Sequence, residues 1–333
     1  MKILKAISTP RKISRFQSAQ IVYEWEDTII SNSNIKLEYE SKFQFVLYSI
    51  IERLGMWKLY NKLLKGKNLK LRFIMTAKVK RECIINKNTI PVIIDYWLTD
   101  EQIKDFCLVY RYCPLVLVTN AEVYCLLKKH NVPLPIEHWP LSYPDKYAIS
   151  SYDKFEKRYD FCLLGRPNPF FIRLLDKYCE SHKEFTYIKN AGTIDYRYYE
   201  TNTGLFVGKD TGRKSYLEMV KQTKITCYTT PGYDESKKDV QRFNQVTPRV
   251  FEFLCGGCMV IGHYPMTEDV LYYQLDSIIY NVNNYTEFES KLDELRKKEC
   301  DISKNAKFME QHYTSKRINS LVNLCKKHNI SII

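Results

Sequence analysis

The chain has 333 residues, 45% of them hydrophobic and 27% charged, with a formal net charge of +13; this length fits two domains, each able to bury its own core. No apolar run approaches the ~18 to 20 residues that a membrane-spanning helix needs, and residues 1–5 are too short and too charged for a secretory signal, so export is not expected. Eleven cysteines, scattered through apparent strands and helices, lack the density of a small disulfide scaffold and read as reduced thiols in a cytoplasm.

In chain order, residues 1–8 are predicted as a strand, 41–64 as a helix, 69–75 as a strand and 91–95 as a short buried strand. A helix at 99–107 opens on a Thr99 cap, and a strand at 114–119, a helix at 121–130 and a strand at 135–138 follow. The polar stretch 142–157, with Pro144 and paired serines, reads as a linker. Beyond it come a strand at 159–164, a helix at 170–181, a strand at 185–189, a helix at 213–222 and a strand at 224–228. A helix at 248–255 leads into a strand ending at 262, then a strand at 277–280 and C-terminal helices. Such alternation implies mainly parallel sheets covered by helices, an α/β class, divided as 1–150 and 151–333. Ligands in open α/β sheets lie beyond the carboxyl ends of the strands, so the expected site is a cleft between two such domains.

The charge is uneven. Residues 1–150 hold 23 Lys and Arg against 14 Asp and Glu, or +9, and the rest hold 28 against 24, or +4. Ten basic residues and no acid lie between Arg53 and Arg81, interleaved with apolar residues at helical spacing. A basic amphipathic helix with an interfacial Trp57 fits peripheral contact of residues 42–81 with an anionic membrane, on the inner face of the plasma membrane, and equally fits a core-facing stripe on a solvated helix. Nucleic acid is not expected as a partner, because no zinc-finger spacing, RNA-recognition signature or basic tail accompanies the charge.

The most informative stretch runs from Thr247 to Gly262. Thr247 suits an N-cap, Pro248 the first helical position, and Gly256 the left-handed residue that ends a helix. The helix N-terminus then favours a phosphate, and Arg249 adds a planar fork of donors. Glu252 is three residues on, on the same face, where it can accept hydrogen bonds from a ribose. Gly165 and Arg166 follow a strand directly, so backbone can approach a phosphate that Arg166 neutralises, although an ordinary turn reads the same way. Thr229, Thr230 and Gly232 follow another strand. The charged loop 231–246 fits a lid or a surface insertion, and Asn244, Gln245 and Thr247 at its end can reach sugar or phosphate oxygens. Cys255 and Cys258 span a helix end and a strand start, without a second cysteine pair, so no metal or redox role is assigned to them. For a base that takes an acceptor proton, Asp95 at the end of a strand is the first candidate and His138 the second. No Asp-x-Asp occurs, which favours charge neutralisation by Arg166, Arg249 and helix dipoles over a metal; no metal and no cofactor are expected.

Arg249-Val-Phe-Glu252, followed by Cys-Gly-Gly and Met-Val-Ile, resembles the donor-site segment of two-domain (GT-B) glycosyltransferases, especially a bacterial spore-maturation-type group. Residues 159–166 with Arg173 resemble the opening of the donor domain, 116–127 and 136–143 the last acceptor-domain strands, and 306–324 with His312 and Arg317 the closing helices. The resemblance implies two Rossmann-like domains facing each other across a cleft, 1–150 binding the acceptor and 151–333 a nucleotide-sugar donor. It also implies a metal-independent transfer to a glycan or lipid-linked acceptor, in a bacterial surface-polysaccharide setting such as O-antigen or capsule. In retaining members a second glutamate precedes the one matched by Glu252; here that position is Asn244, so the paired pattern is absent. A non-catalytic nucleotide-sugar or nucleic-acid binding protein is the alternative.

Overall fold

The structure, a computed structural model, describes residues 1–13, 19–165, 168–193, 196–233 and 243–332. Its elements begin with β1 (Lys2–Thr9), α1 (Gln20–Ser31), β2 (Lys36–Tyr39), α2 (Lys42–Arg53), α3 (Trp57–Leu63), β3 (Asn68–Thr76), β4 (Thr89–Asp95), α4 (Ile103–Tyr110), β5 (Val116–Val118), α5 (Ala121–Lys129) and β6 (Ile136–His138). There follow β7 (Tyr159–Leu163), α6 (Pro169–Ser181), β8 (Ile188–Gly192), β9 (Arg197–Thr201), β10 (Phe206–Lys209), α7 (Arg213–Lys221), β11 (Thr223–Thr229), α8 (Pro248–Cys255) and β12 (Met259–His263). The last are α9 (Glu268–Tyr273), β13 (Tyr280–Asn281), α10 (Tyr285–Lys297), α11 (Ile302–Met309), α12 (Thr314–Lys327) and β14 (Ile330–Ile332). They form two compact units, Met1–Asp145 with His312–Ile333, and Lys146–Gln311. No described helix is long and apolar enough to cross a membrane.

The first unit is built on a parallel sheet ordered β14-β1-β3-β4-β5-β6, with β2 joining β1 on the same edge as β14. β14 pairs along Lys2–Leu4 and β2 along Ala6–Thr9, so one edge of β1 is shared end to end. Six of the seven residues of β4 are buried, the near-continuous apolar reading of a strand covered on both faces. Leu4, Ile7, Leu71, Val92 and Leu117 meet Ile29 of α1 and Leu321 and Cys325 of α12 in one core. Arg72 of β3 reaches Glu40 beyond β2 in a buried bidentate pair, Nε–Oε1 2.7 Å and Nη2–Oε2 2.8 Å, and the Ser8 hydroxyl donates to the same carboxylate at 2.8 Å.

The second sheet is ordered β10-β9-β8-β7-β11-β12-β13. Its parallel part is β8-β7-β11-β12-β13, and β9 and β10 extend it as antiparallel strands. Numbered along the chain, the parallel strands run 2-1-3-4-5, so the connections leave in opposite directions from β7 and β11 and open a crevice at their carboxyl ends. Phe161, Ile225 and Ile261 from the sheet pack with Phe171, Leu175 and Tyr178 of α6 and Phe288 and Leu292 of α10.

The expectations differ from what is observed at several points, and the helix expected at 99–107 on a Thr99 cap begins instead at Ile103, with Gln102 at its N-cap. The helix expected over 41–64 is broken into α2 and α3, because Gly55 adopts φ +65° and ends the first segment. α1, β2, β9, β10, α9 and β14 are not among the expected elements: α1 buries Glu24 and Glu26 alongside Val22 and Trp25, which blurs its apolar period, and β2, β9, β10 and β14 are strands of three to five residues. The division at 151–333 differs at its far end, since α12 packs on the first sheet and β14 hydrogen-bonds to β1. The helix α8 ends on a left-handed Gly257 (φ +69°), whereas Gly256 has φ −79°. Gly256 is glycine for a different reason: an added Cβ would stand 2.5 Å from Val220 Cγ1 of α7.

Candidate functional site

The crevice between β7 and β11 is where the second unit's polar side chains gather. β7 runs through Leu164 into Gly165, which adopts a φ of +86° that glycine takes without strain. The Gly165 N–H donates to Asn190 Oδ1 of β8 at 2.7 Å, which fixes that conformation. Any Cβ here would lie 2.8 Å from Arg249 Nη2 and 2.9 Å from its Cζ, so the Arg249 guanidinium rests directly on the glycine backbone. Asn168 caps α6 by accepting from Phe171 N and donates to Thr229 Oγ1 at 2.8 Å, joining the two sides of the crevice.

From β11, Thr229 and Thr230 pass into the turn Pro231–Tyr233. The Thr230 hydroxyl donates to Asn244 Oδ1 at 2.8 Å, and a Cβ on Gly232 would meet the same Oδ1 at 2.7 Å. Asn244 thus holds the turn after β11 to the segment leading into α8, and Gln245 beside it is buried. Val246 N donates to the buried Asp269 at 3.3 Å and Thr247 N to Tyr228 OH at 3.0 Å, which ties the start of α8 to the end of β11. Thr247 has the extended backbone of an N-cap with Pro248 at the first helical position, but its side chain makes no capping hydrogen bond, so it does not occupy the first-turn N–H groups. Arg249 sits in that first turn, and no carboxylate lies within ion-pairing distance of it among the described residues. A cationic fork and the positive end of α8 therefore point at one turn of backbone, a favourable setting for an anion.

Glu252 departs from expectation. It is buried and accepts a short hydrogen bond from Nη1 of Arg213, the first residue of α7, whose guanidinium also lies 5.5 Å from the Tyr147 ring centroid. Tyr216, close by and half-buried with its hydroxyl enclosed, has that hydroxyl pushed well above its usual range, first by burial and next by the Glu252 charge. Gly256 is likewise not with the anion-facing group. It stands at the opposite end of α8, about 12 Å away at 1.5 Å per residue, and its carbonyl accepts from Lys157 Nζ at 2.7 Å. Arg166 and most of the loop 231–246 lie outside the described residues. The thiol of Cys258 donates to the Val220 and Thr223 carbonyls at 3.2 Å and burial raises its pKa, an inert thiol in a packed turn.

The sequence reading missed one part of the site. His263 ends β12 in register with Thr229, stacks on Phe170 at 3.7 Å and 10°, and lies 4.9 Å from the Tyr233 ring. Its Nδ1 donates to the Val282 carbonyl at 2.8 Å, which fixes the ring at the end of β12. The signal available was a histidine at a strand end, one glycine after an apolar run.

In the first unit, parallel strands numbered along the chain run 2-1-3-4-5-6, which sets a second switch point between β1 and β3. A cavity of about 440 Å³ opens there, lined by Pro10, Tyr48, Glu52, Arg72, Lys78 and Glu82 among others. Asp95 and His138 are not among its lining residues. Both end strands of the same sheet, but β5 intervenes between β4 and β6, so their backbones are roughly 10 Å apart. His138 stacks at 6.0 Å on Tyr124 and is pushed down to about 4, by burial first and also by Arg317, against the backbone of Thr119. It is neutral at pH 7 and a weak base.

No family model matches the sequence, and no curated protein matches it. Among solved structures, TarM aligns with a TM-score of 0.51 at 13% identity, over 80% of this chain and 57% of TarM. A TarM variant from S. aureus, solved with Fondaparinux, α-GlcNAc-glycerol and UDP, aligns at 0.50 and 10% identity with the same coverage. The fold is that of the GT-B glycosyltransferases. Anabaena HepE in complex with UDP aligns over 98% of this chain and all of HepE, with a TM-score of 0.49 and 9% identity. The chain spans 57% of the length of TarM, and at these identities the GT-B likeness is one of architecture.

Proposed function

We propose that the chain is a glycosyltransferase that moves a sugar from a nucleotide-diphosphate donor to a hydroxyl of a glycan or lipid-linked acceptor. The observation that carries the reading is Arg249, laid on the Gly165 turn at the positive end of α8 and at the mouth of the β7–β11 crevice. In sugar transfer the anomeric C–O bond to the diphosphate breaks, and negative charge grows on the leaving phosphate oxygens. The Arg249 fork and the helix terminus are aimed where that charge would develop, so this account needs no resident metal. Phe170, His263 and Tyr233 supply flat surfaces beside the crevice, as a base or sugar ring needs. Glu252, held by Arg213, is proposed to meet the ribose only as part of that ion pair.

The acceptor is assigned to the first unit, at the cavity between the ends of β1 and β3. Its hydroxyl must lose a proton as the new C–O bond forms. Neither Asp95 nor His138 lines that cavity, but Asp95 is in register with Thr76 at the end of β3, next to the lining residue Met75, and it is preferred to His138 for that proton because an imidazole held near 4 accepts it weakly. The resemblance of the donor segment to the spore-maturation-type group supports a bacterial surface polysaccharide as the setting. UDP is the first diphosphate to try, since the TarM variant was solved with it. The test is a screen of UDP-, GDP-, CMP- and dTDP-sugars for nucleotide release and glycoside formation. Turnover with one of them is expected; saturable binding of a nucleotide sugar without turnover would make the chain a non-catalytic binding protein instead.

A further inference from the structure

We propose that α2 and α3 form a docking face for an anionic lipid bilayer. α2 turns its apolar stripe away from the protein: Phe43, Val46, Leu47, Ile50 and Leu54, spaced as one helical face, are 75%, 57%, 41%, 48% and 64% exposed, and no residue of α2 is buried. Leu59 and Leu63 of α3 extend it, at 48% and 73% exposed. The inward side carries the polar groups. Glu52, the only acid between residues 41 and 81, accepts from Cys83 N at 2.5 Å, and Tyr48 packs edge-on against Tyr60 at 6.0 Å. An ordinary surface helix has the reverse polarity, so this stripe is built to meet something apolar.

The charge around it identifies the occupant. Lys42, Arg53, Lys58, Lys62, Lys65 and Lys67 are all exposed on or next to the same two helices. At one end Trp57 is covered by Arg81 at 3.8 Å and Arg111 at 4.6 Å, which holds two more cations at the rim. A second copy of the chain would set these cations against their own images, and a nucleic acid would meet Phe, Val, Ile and Leu where its phosphates need donors. Hydrocarbon beneath an anionic headgroup layer satisfies both halves of the face at once. Phe45, Tyr48, Ser49 and Glu52 of the docked helix also line the first unit's cavity, so a lipid-linked acceptor would enter it from the surface on which α2 rests.

Flotation with vesicles of phosphatidylcholine alone, and of equal parts phosphatidylcholine and phosphatidylglycerol, tests this directly. The parent chain should float with the anionic vesicles and not the neutral ones, and raised salt should weaken the binding. Lys58→Glu with Lys62→Glu should cut the binding roughly tenfold or more, by the attraction each cation near the surface contributes. Phe43→Ser with Leu54→Ser should cut it by roughly tenfold through lost apolar burial, and exposed positions leave the melting temperature of both variants near that of the parent. The proposal is overturned if the parent ignores anionic vesicles, or if both double variants float as the parent does. Binding to polyglutamate without binding to vesicles would also overturn it, in favour of an acidic protein partner, as would self-association that the Phe43 and Leu54 changes abolish.

Discussion

At the scale of single residues, the site depends on a contact that leaves no room for a methyl group. Gly165→Ala would strain a backbone at φ +86° and drive a Cβ to within 2.8 Å of the Arg249 fork. The expected cost is about 1 to 2 kcal/mol of stability with a roughly tenfold loss of UDP affinity, measured by denaturation and calorimetric titration. Two histidines give a pH signature of their own. Burial lowers His138 to about 4 and His312 to about 3, with Arg317 adding to both shifts. Unfolded imidazoles take up protons near pH 6.5, so the stability these rings contribute is whole above that value and is lost as pH falls toward 4 and 3. His138→Gln should remove roughly 3 kcal/mol of that acid loss, seen as a flatter melting temperature between pH 6.5 and 4; an unchanged acid limb would contradict it. The cap and first turn of α8 were legible in the sequence because Thr247, Pro248 and Arg249 are adjacent. The partner of Glu252 was not, since Arg213 is 39 residues away and only packing of α7 on α8 brings it there.

At the scale of elements, periodicity served well where apolar residues face a core and misled where they do not. β4 and α8 match their predicted spans closely, for their buried faces are continuous. Residues 41–64 carry an equally clear helical period, but it faces solvent, and the single left-handed Gly55 splits it. α1 was missed because its buried face includes Glu24 and Glu26, the latter held by Arg11 at 2.7 Å. The pair of Arg72 and Glu40 binds β3 to the end of β2 across 32 residues of chain and is invisible locally. Arg72→Ala leaves the Glu40 carboxylate buried without that partner and should cost about 3 to 5 kcal/mol, read as a shift of the denaturation midpoint. A cost under about 1 kcal/mol would show that solvent reaches Glu40.

At the scale of the whole molecule, the chain closes on itself: its last strand completes the sheet begun by its first. The second unit is continuous, whereas the first is made from both ends of the sequence. Sequence order suggested a simple division near residue 150 because nothing local marks 312–333 as belonging elsewhere. Removing residues 312–333 would uncover the Lys2–Leu4 edge and the core around Ile29 and Leu71. Scanning calorimetry of that truncation should lose or strongly lower the transition of the first unit while the second still melts cooperatively. A single unchanged transition would contradict this division.

Titration of UDP into the parent chain and into Arg249→Ala examines most directly whether a nucleotide diphosphate binds between the ends of β7 and β11. The parent should bind saturably, and the variant should lose roughly tenfold or more in affinity while melting at the parent's temperature without ligand. Equal UDP affinity in the two proteins would contradict it.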